Sequence, residues 1–407
     1  MRILLISQYF WPETFIVNDL AKKLVSQGHQ VTVATGKPNY PEGEIYSGYT
    51  ARGTQSEMYS NDIEVLRIPI HPRGNGGAKN LILNYLSFVL LGLWHFPRLL
   101  KGKRVDVIVV FAPSPITQVI PAILLKWIKR AHLAVWVQDL WPESLSATGF
   151  VKNKTALSVV GLMVKGIYKF CDTLLLQSHA FFDPTRKYST ADKLVYFPNS
   201  IDTSGDGASG SIPVELQQEL EGAFSVVFAG NLGTAQSLGS IVEAAKLLKN
   251  ESDLKIILVG SGSMAKWVAE QKILYHLDNL ILAGRFPMNA MPEVFSRASV
   301  LLVSLKDEEI FSYTVPSKVQ AYLAAGRPII ASLRGEGARV IRESGAGVTC
   351  LPDDGQALAD SILLLKSSSP GQLEEMGKAG RDYFDENYDM DVQATRLIEI
   401  LTTRIAS

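Results

Sequence analysis

Only two of the 407 residues are cysteine, Cys171 and Cys350, and they lie far apart. That excludes a disulfide framework and a thiolate metal cluster, and it fits a reducing cytoplasm. The six histidines are scattered without metal-ligand spacing. An excess of one charge is also lacking. Forty basic and forty acidic residues cancel, so no global field argues for nucleic acid as a partner. The apolar opening, Met1–Ser7, is too short for a secretory h-region and reads as a buried strand. Two acidic pairs, Asp353-Asp354 and Asp389-x-Asp391, fall in a turn and among C-terminal helices, where solvation is expected rather than a metal. No metal is expected.

What the chain has in quantity is apolar sequence, 47% of it. One block, Leu81–Leu100, is long enough to span a bilayer. Asn84, Ser87, His95, Pro97 and Arg98 interrupt it, and Lys101, Lys103 and Arg104 follow. Three readings stand: a crossover helix between strands, a helix lying on an anionic membrane surface beside Trp94 and Phe96, and a true span.

Elsewhere strands alternate with helices. Strands are predicted at Arg2–Ile6, Gln30–Ala34, Glu64–Ile68, Asp106–Phe111, Leu133–Val137 and Thr173–Leu176. After the Gly/Ser-rich run Thr203–Ser211 they resume at Ser225–Ala229, Lys255–Val259, Leu280–Ala283, Val300–Ser304, Pro328–Ala331 and Gly347–Leu351. Continuous apolar strands alternating with helices predict doubly wound parallel sheets. The expectation is an α/β chain of two Rossmann-like domains, residues 1–200 and 201–385, facing an interdomain cleft. A C-terminal helix at about 386–407 is expected to pack back on the first domain. In such sheets ligands bind beyond the carboxyl ends of the strands.

Three loops at those ends in the second half suit a phosphate or a nucleobase. Gly230-Asn231-Leu-Gly233 follows the first strand, and its glycines permit close backbone approach. Gly260-Ser-Gly262-Ser-Met-Ala265 follows the second. It literally matches the dinucleotide fingerprint but sits on the wrong βα turn. Arg285 and Phe286 end the third strand, and an arginine there keeps NADP open as an alternative. The third loop is Pro316-Ser317-Lys318, opening a predicted helix that closes on Gly326, with Val319, Tyr322 and Leu323 on one buried face. Lys318 opposes the helix dipole, by about 0.3–1 kcal/mol. That makes sense if an anion docks there, since a helix N-terminus with a lysine is a phosphate site. The alternative is a solvated surface lysine. With Arg285, Lys318 is the expected counter-charge for a nucleotide diphosphate leaving group.

In the first half, Gln8-Tyr-Phe-Trp-Pro-Glu13 and Gln138-Asp139-Leu-Trp-Pro-Glu143 follow strands. Asp139 and Glu143 are candidates to steer a sugar hydroxyl or take its proton, and Glu13 joins Asp139 in the expected catalytic set, although Asp139 equally suits a helix cap. The Tyr- and Gly-rich loop Asn39–Tyr49 suits sugar recognition.

Together these residues resemble the GT-B glycosyltransferases of the large retaining group called family 4. The likeness runs through Arg2–Ser7, Gly28–Val33, Trp136–Glu143, Phe197–Asp202, Phe228-Ala-Gly230 and Pro316–Gly326, and is nearest to bacterial O-antigen and colanic-acid enzymes. It implies transfer of a hexose, N-acetyl-L-fucosamine as the first expectation, from a UDP donor with retention. The acceptor implied is a lipid-linked oligosaccharide at the inner-membrane surface, with no metal and no other cofactor. The attack comes from the face the diphosphate leaves, and a phosphate oxygen takes the proton. Donor-binding residues then include Gly230, Asn231, Gly233, Gly260, Gly262, Arg285, Phe286, Ser317, Lys318 and Gln320. Three departures stand out. Tyr313 and Ala321 occupy the places of a Glu-x7-Glu pair, so ribose binding moves to Gln320 or to a residue elsewhere. Asn231 and Gln236 or Ser237 stand where an Arg and a Lys are common. Gln138-Asp139 stands where a His is common. A UDP-sugar 2-epimerase and an inactive nucleotide-sugar-binding protein share the fold and are the competing readings.

Overall fold

The computed structural model describes every residue except Gly76, Thr148, Phe150, 204–209 and Ser407. Most of the linker-like run at 203–211 therefore lies outside the described residues. The chain divides into two compact units, Met1–Asp202 with Met390–Ser407, and Thr203–Asp389.

Unit 1 begins β1 (Arg2–Ile6), α1 (Ile16–Ser26), β2 (Gln30–Gly36), β3 (Gln55–Tyr59), β4 (Ile63–Ile68) and α2 (Ala78–Leu99). It continues with β5 (Val107–Ala112), α3 (Ile120–Lys129), β6 (His132–Val137), α4 (Glu143–Ala147), α5 (Lys154–Phe170), β7 (Thr173–Leu176), α6 (Phe182–Arg186) and β8 (Leu194–Tyr196). The sheet order is β3-β4-β2-β1-β5-β6-β7-β8, parallel except where β3 pairs β4 antiparallel. The central strands are buried on both faces, as their apolar runs require.

Unit 2 holds α7 (Val214–Glu221), β9 (Phe224–Ala229), α8 (Leu238–Leu247), β10 (Leu254–Val259), α9 (Ala265–Tyr275), β11 (Leu280–Gly284), α10 (Met291–Arg297) and β12 (Val300–Ser304). Then come α11 (Glu309–Ser312), α12 (Ser317–Ala325), β13 (Ile329–Ser332), α13 (Gly335–Ser344), β14 (Gly347–Cys350), α14 (Gly355–Lys366) and α15 (Pro370–Asn387). The six strands are parallel in the order β11-β10-β9-β12-β13-β14. The last helix, α16 (Met390–Ala406), belongs to unit 1. Its Met390, Ala394, Leu397 and Leu401 join the core beneath α1, and Lys23 of α1 pairs with Asp391 at 2.8 Å.

α2 is buried on one side only. Asn84, Phe88 and Phe96 are fully buried, whereas Ile82, Leu86, Leu90 and Trp94 face out. Asn84 is a hydrogen-bond hub, accepting from Gln8 Nε2 at 2.6 Å and donating to the His71 carbonyl at 2.6 Å. Among the described helices it is the one long and apolar enough to cross a membrane, yet its inner face is part of the unit 1 core.

Candidate nucleotide-sugar site

The end of β9 and the start of α12 meet at Lys318. Tyr322 sits one helical turn beyond that lysine and is fully buried. Its hydroxyl accepts from Ala229 N at 3.0 Å and reaches Ala229 O at 3.3 Å, so α12 is tied to the last residue of β9. Val319, Tyr322 and Leu323 are buried together, and Gly326 closes the helix in the left-handed region at φ 64°. Pro316 lies one place outside the expected position. It is the N-cap, with extended ψ, and Ser317 and Lys318 are the first two helical residues.

The ammonium of Lys318 lies 3.7 Å from the centroid of the Phe228 ring and donates to Gln236 Oε1 at 2.7 Å. No carboxylate pairs with it among the described residues. Burial without a counter-charge pushes its pKa down to about 7. Gly230 makes this packing possible. A Cβ there would stand 2.6 Å from Lys318 Cε, and its φ of 135° is one that side chains avoid. Thus Phe228, Ala229 and Gly230 act in sequence: a ring under the cation, a backbone clasp for α12, and the space the lysine occupies.

Next to this cation lies an open pocket of about 350 Å³, lined by Gly230, Asn231, Gly260, Arg285, Phe286 and Met288 among others. It unites five of the residues expected to bind a donor. Arg285 is exposed and Phe286 half-buried. Ser317 is exposed on the first turn of α12.

Other expectations are corrected. Gly260, which lines the pocket, and Gly262 are bare for a reason besides ligand approach. A Cβ on Gly260 would strike the Gly230 carbonyl at 1.8 Å, and one on Gly262 would strike Leu232 at 2.5 Å. Their role is to let two loops pack, with Leu232 N donating to Ser261 O at 2.8 Å. At Gly233 a Cβ would meet the Asn231 side chain at 2.7 Å. Gln320 is 3% exposed and faces inward beside Val319, so it offers no amide to a ribose at the surface. Asp353 is engaged rather than merely solvated: it accepts from Ser237 Oγ and, at 2.8 Å, from Asp307 N. Asp354 caps α14.

In unit 1, Glu13 is 2% exposed and saturated. Its Oε1 accepts from Asn39 N and Tyr40 N, both at 2.7 Å, and its Oε2 accepts from Phe10 N at 3.1 Å. Burial outweighs the downward pull of these three bonds and leaves its pKa raised to about 7. It is a clasp between two loops, buried away from any ligand at the surface. Tyr40 of the Tyr-rich loop packs against the same segment: its ring lies tilted 5.5 Å from Tyr9 and 5.4 Å from Phe15, which stack on each other at 5.4 Å, and Arg73 covers Tyr40 at 5.0 Å.

Asp139 differs. It caps no helix. Its Oδ2 accepts from Ser114 Oγ and from Trp141 Nε1 at 3.3 Å, the indole also reaching Ser114 Oγ at 2.9 Å. Oδ1 makes no hydrogen bond among the described residues. The neighbouring Gln138 keeps a buried Nε2 without a partner among them. Ser114, Trp141 and Arg73 escaped the sequence reading; the twice-used spacing Gln-x-x-Trp-Pro-Glu, at 8–13 and 138–143, was the available signal.

Comparison with known proteins gives the class. Residues 14–200 match the family described as "Glycosyl transferase 4-like domain", and residues 223–367 match "Glycosyl transferases group 1". Two parallel α/β units with these matches define a glycosyltransferase of the GT-B fold. Among relatives, the chain is 26% identical over 299 residues to the probable glycosyltransferase WbjE of Pseudomonas aeruginosa, covering 71% of this chain and 72% of that protein. It is 22% identical over 347 residues to the putative colanic acid biosynthesis glycosyl transferase WcaI of Escherichia coli K12, covering 80% and 82%. Among solved structures, sucrose-phosphate synthase from Thermosynechococcus elongatus aligns over 100% of this chain and 99% of its own, with TM-score 0.73 and 16% identity. HepE from Anabaena in complex with UDP aligns over 99% and 100%, with TM-score 0.66 and 13% identity.

Proposed function

We propose that this chain is a retaining, metal-independent hexosyltransferase that takes a sugar from a UDP donor and places it on a lipid-linked oligosaccharide in bacterial surface-polysaccharide assembly. N-acetyl-L-fucosamine is the first sugar to test, from the resemblance above. The observation that carries the reading is the Lys318 ammonium, with no carboxylate partner among the described residues, packed against Gly230, which itself lines a pocket at the β9, β10 and β11 ends. A diphosphate is the anion that such a cation at the N-terminus of α12 suits. The relative named for colanic acid biosynthesis and the UDP complex of HepE support the substrate class. In the reaction, the bond from the anomeric carbon to the diphosphate breaks. The acceptor oxygen bonds that carbon from the same face, and its proton passes to a phosphate oxygen. Lys318 and Arg285 neutralise the departing charge, which is the part a metal plays elsewhere. Asp139, with Oδ2 held and Oδ1 open, orients the acceptor hydroxyl. We place the chain at the cytoplasmic face of the inner membrane, held by the exposed Trp94 side of α2, where Arg98 covers the Trp94 ring at 3.6 Å.

The test is incubation with UDP-sugars and a polyprenyl-diphosphate-linked sugar in the presence of EDTA, with product configuration read by NMR. Transfer with retention supports the proposal. An inverted product, dependence on a divalent ion, or rapid epimerisation of UDP-N-acetylglucosamine without acceptor overturns it.

A further inference from the structure

α2, α3 and α5 join β4 to β5, β5 to β6 and β6 to β7, all stepping the same way along the sheet. Right-handed crossovers then put all three helices on one face of unit 1. α2 packs on α3, and Lys126 of α3 donates to the Phe170 carbonyl at the end of α5 at 2.9 Å. The outer surface of this layer is apolar. Trp94 is 60% exposed, Trp127 65% and Leu162 69%, with Ile128, Val159 and Phe170 also outward. Isolated exposed apolar residues need no explanation, but a row across three adjoining helices does.

The charge around this layer is predominantly basic, although Lys103 pairs with Glu64 and Lys126 with Asp172. Residues 78–170 contain twelve Lys and Arg against three Asp and Glu. Of the three acids, Asp106 is paired with Arg2, Asp139 is held by Ser114, and Glu143 stands 3.7 Å from Lys187. At the carboxyl end of α5 a pocket of about 370 Å³ is lined by Lys165, Lys169, Arg186, Lys187, Tyr188 and Lys193 among others. Arg186 pairs with Asp183 at 2.9 Å, and Lys193 donates to the Tyr168 and Lys169 carbonyls. Lys165 and Lys169 have no ion pair among the described residues.

We infer that the whole three-helix layer, and not α2 alone, is a docking face for an anionic phospholipid bilayer. Trp127, Leu162 and Phe170 enter the headgroup–acyl boundary, and the pocket between α5 and α6 takes a lipid phosphate. Apolar anchors beside unpaired lysines are what such a surface selects, and it is the sign of the charge that argues for anionic lipid over a second protein. The inference rests on the membrane reading above and extends it to two further helices.

The test is co-sedimentation of the full chain with phosphatidylglycerol-containing vesicles and with phosphatidylcholine vesicles. The variants are W94S, W127S/L162S and K165E/K169E, with UDP binding as the control for folding. Wild type is expected to bind the anionic vesicles, and each double variant is expected to lose about tenfold or more in partitioning while keeping UDP affinity. If wild type binds no vesicle, the membrane reading itself fails. If wild type binds and only W94S loses binding, the membrane reading survives and the three-helix face is wrong. Self-association without lipid that both double variants abolish also overturns it, because the layer is then a dimer contact.

Discussion

The first βα turn of unit 1 and the first βα turn of unit 2 occupy the same place in two similar sheets, and they are built in opposite ways. In unit 1, Gln8–Phe15 is filled with aromatic rings and a carboxylate whose acceptors are spent on backbone N–H groups. In unit 2, Gly230–Ser237 is thin and lies beside a cation with no counter-ion among the described residues. One turn is satisfied from within. The other leaves unmatched charge and open space, and unmatched charge in a folded protein asks for a ligand. The difference teaches that glycine at a strand end is informative only when one knows what fills the missing side chain. At Gly230 it is the lysine, and at Gly260 it is another loop.

Replacing the lysine tests the comparison with the largest expected effect. Lys318→Met should lower kcat/KM by about 10²–10³-fold, the cost of removing one transition-state donor. Its folded pKa of about 7 lies below the ordinary 10.5. Burying the charged form therefore costs stability in full below about pH 7, and the cost is relieved as pH rises toward 10.5. Thermal melts of the variant at pH 6 to 7, taken as about one unit or less below the shifted value, should be unchanged or higher. Equal activity with a collapsed melting temperature would reverse the assignment.

Glu13→Ala is the opposite experiment. It strands three buried N–H donors and should cost about 3 kcal/mol in denaturant unfolding, with UDP affinity in the folded fraction intact. A loss of turnover without a loss of stability would make Glu13 a reaction group after all. Gly230→Ala pushes a methyl into Lys318 and should weaken UDP binding roughly tenfold, the worth of a charge-assisted contact, measurable by calorimetry. Arg285→Ala is the mildest: an exposed guanidinium at the pocket rim should change the UDP dissociation constant by about two- to fivefold.

The sheet cores were legible because buried parallel strands are written as unbroken apolar runs. β1, β7 and β12 follow the pattern residue for residue. β3 was missed. Gln55–Tyr59 is an edge strand with polar residues, and its place is set by Arg67, which is fully buried and pairs with Glu57 across from β4, a partner that no local pattern announces. Lys318 was legible as an oddity, a cation at the wrong helix end. Its companions were not, because Phe228 and Gln236 are far away in sequence and meet it only through the Tyr322–Ala229 tie. Gln320 was misread for a related reason. The family resemblance put a ribose ligand at Ala321, and its neighbour Gln320 was the nearest substitute, but Gln320 packs on the buried side next to Val319. Glu13 looked reactive because it follows a strand's carboxyl end, where ligands bind in such sheets, and only three-dimensional geometry reveals the backbone donors that hold it.

The most direct measurement is calorimetric titration of UDP one unit above the lysine's value of about 7, repeated in buffers of different ionisation enthalpy. If Lys318 receives the diphosphate, the bound anion raises its pKa, so wild type should take up close to one proton per UDP and bind more weakly as pH rises. Lys318→Met should bind weakly and take up none. Equal affinity of the two proteins, with no proton uptake by wild type, would contradict the account.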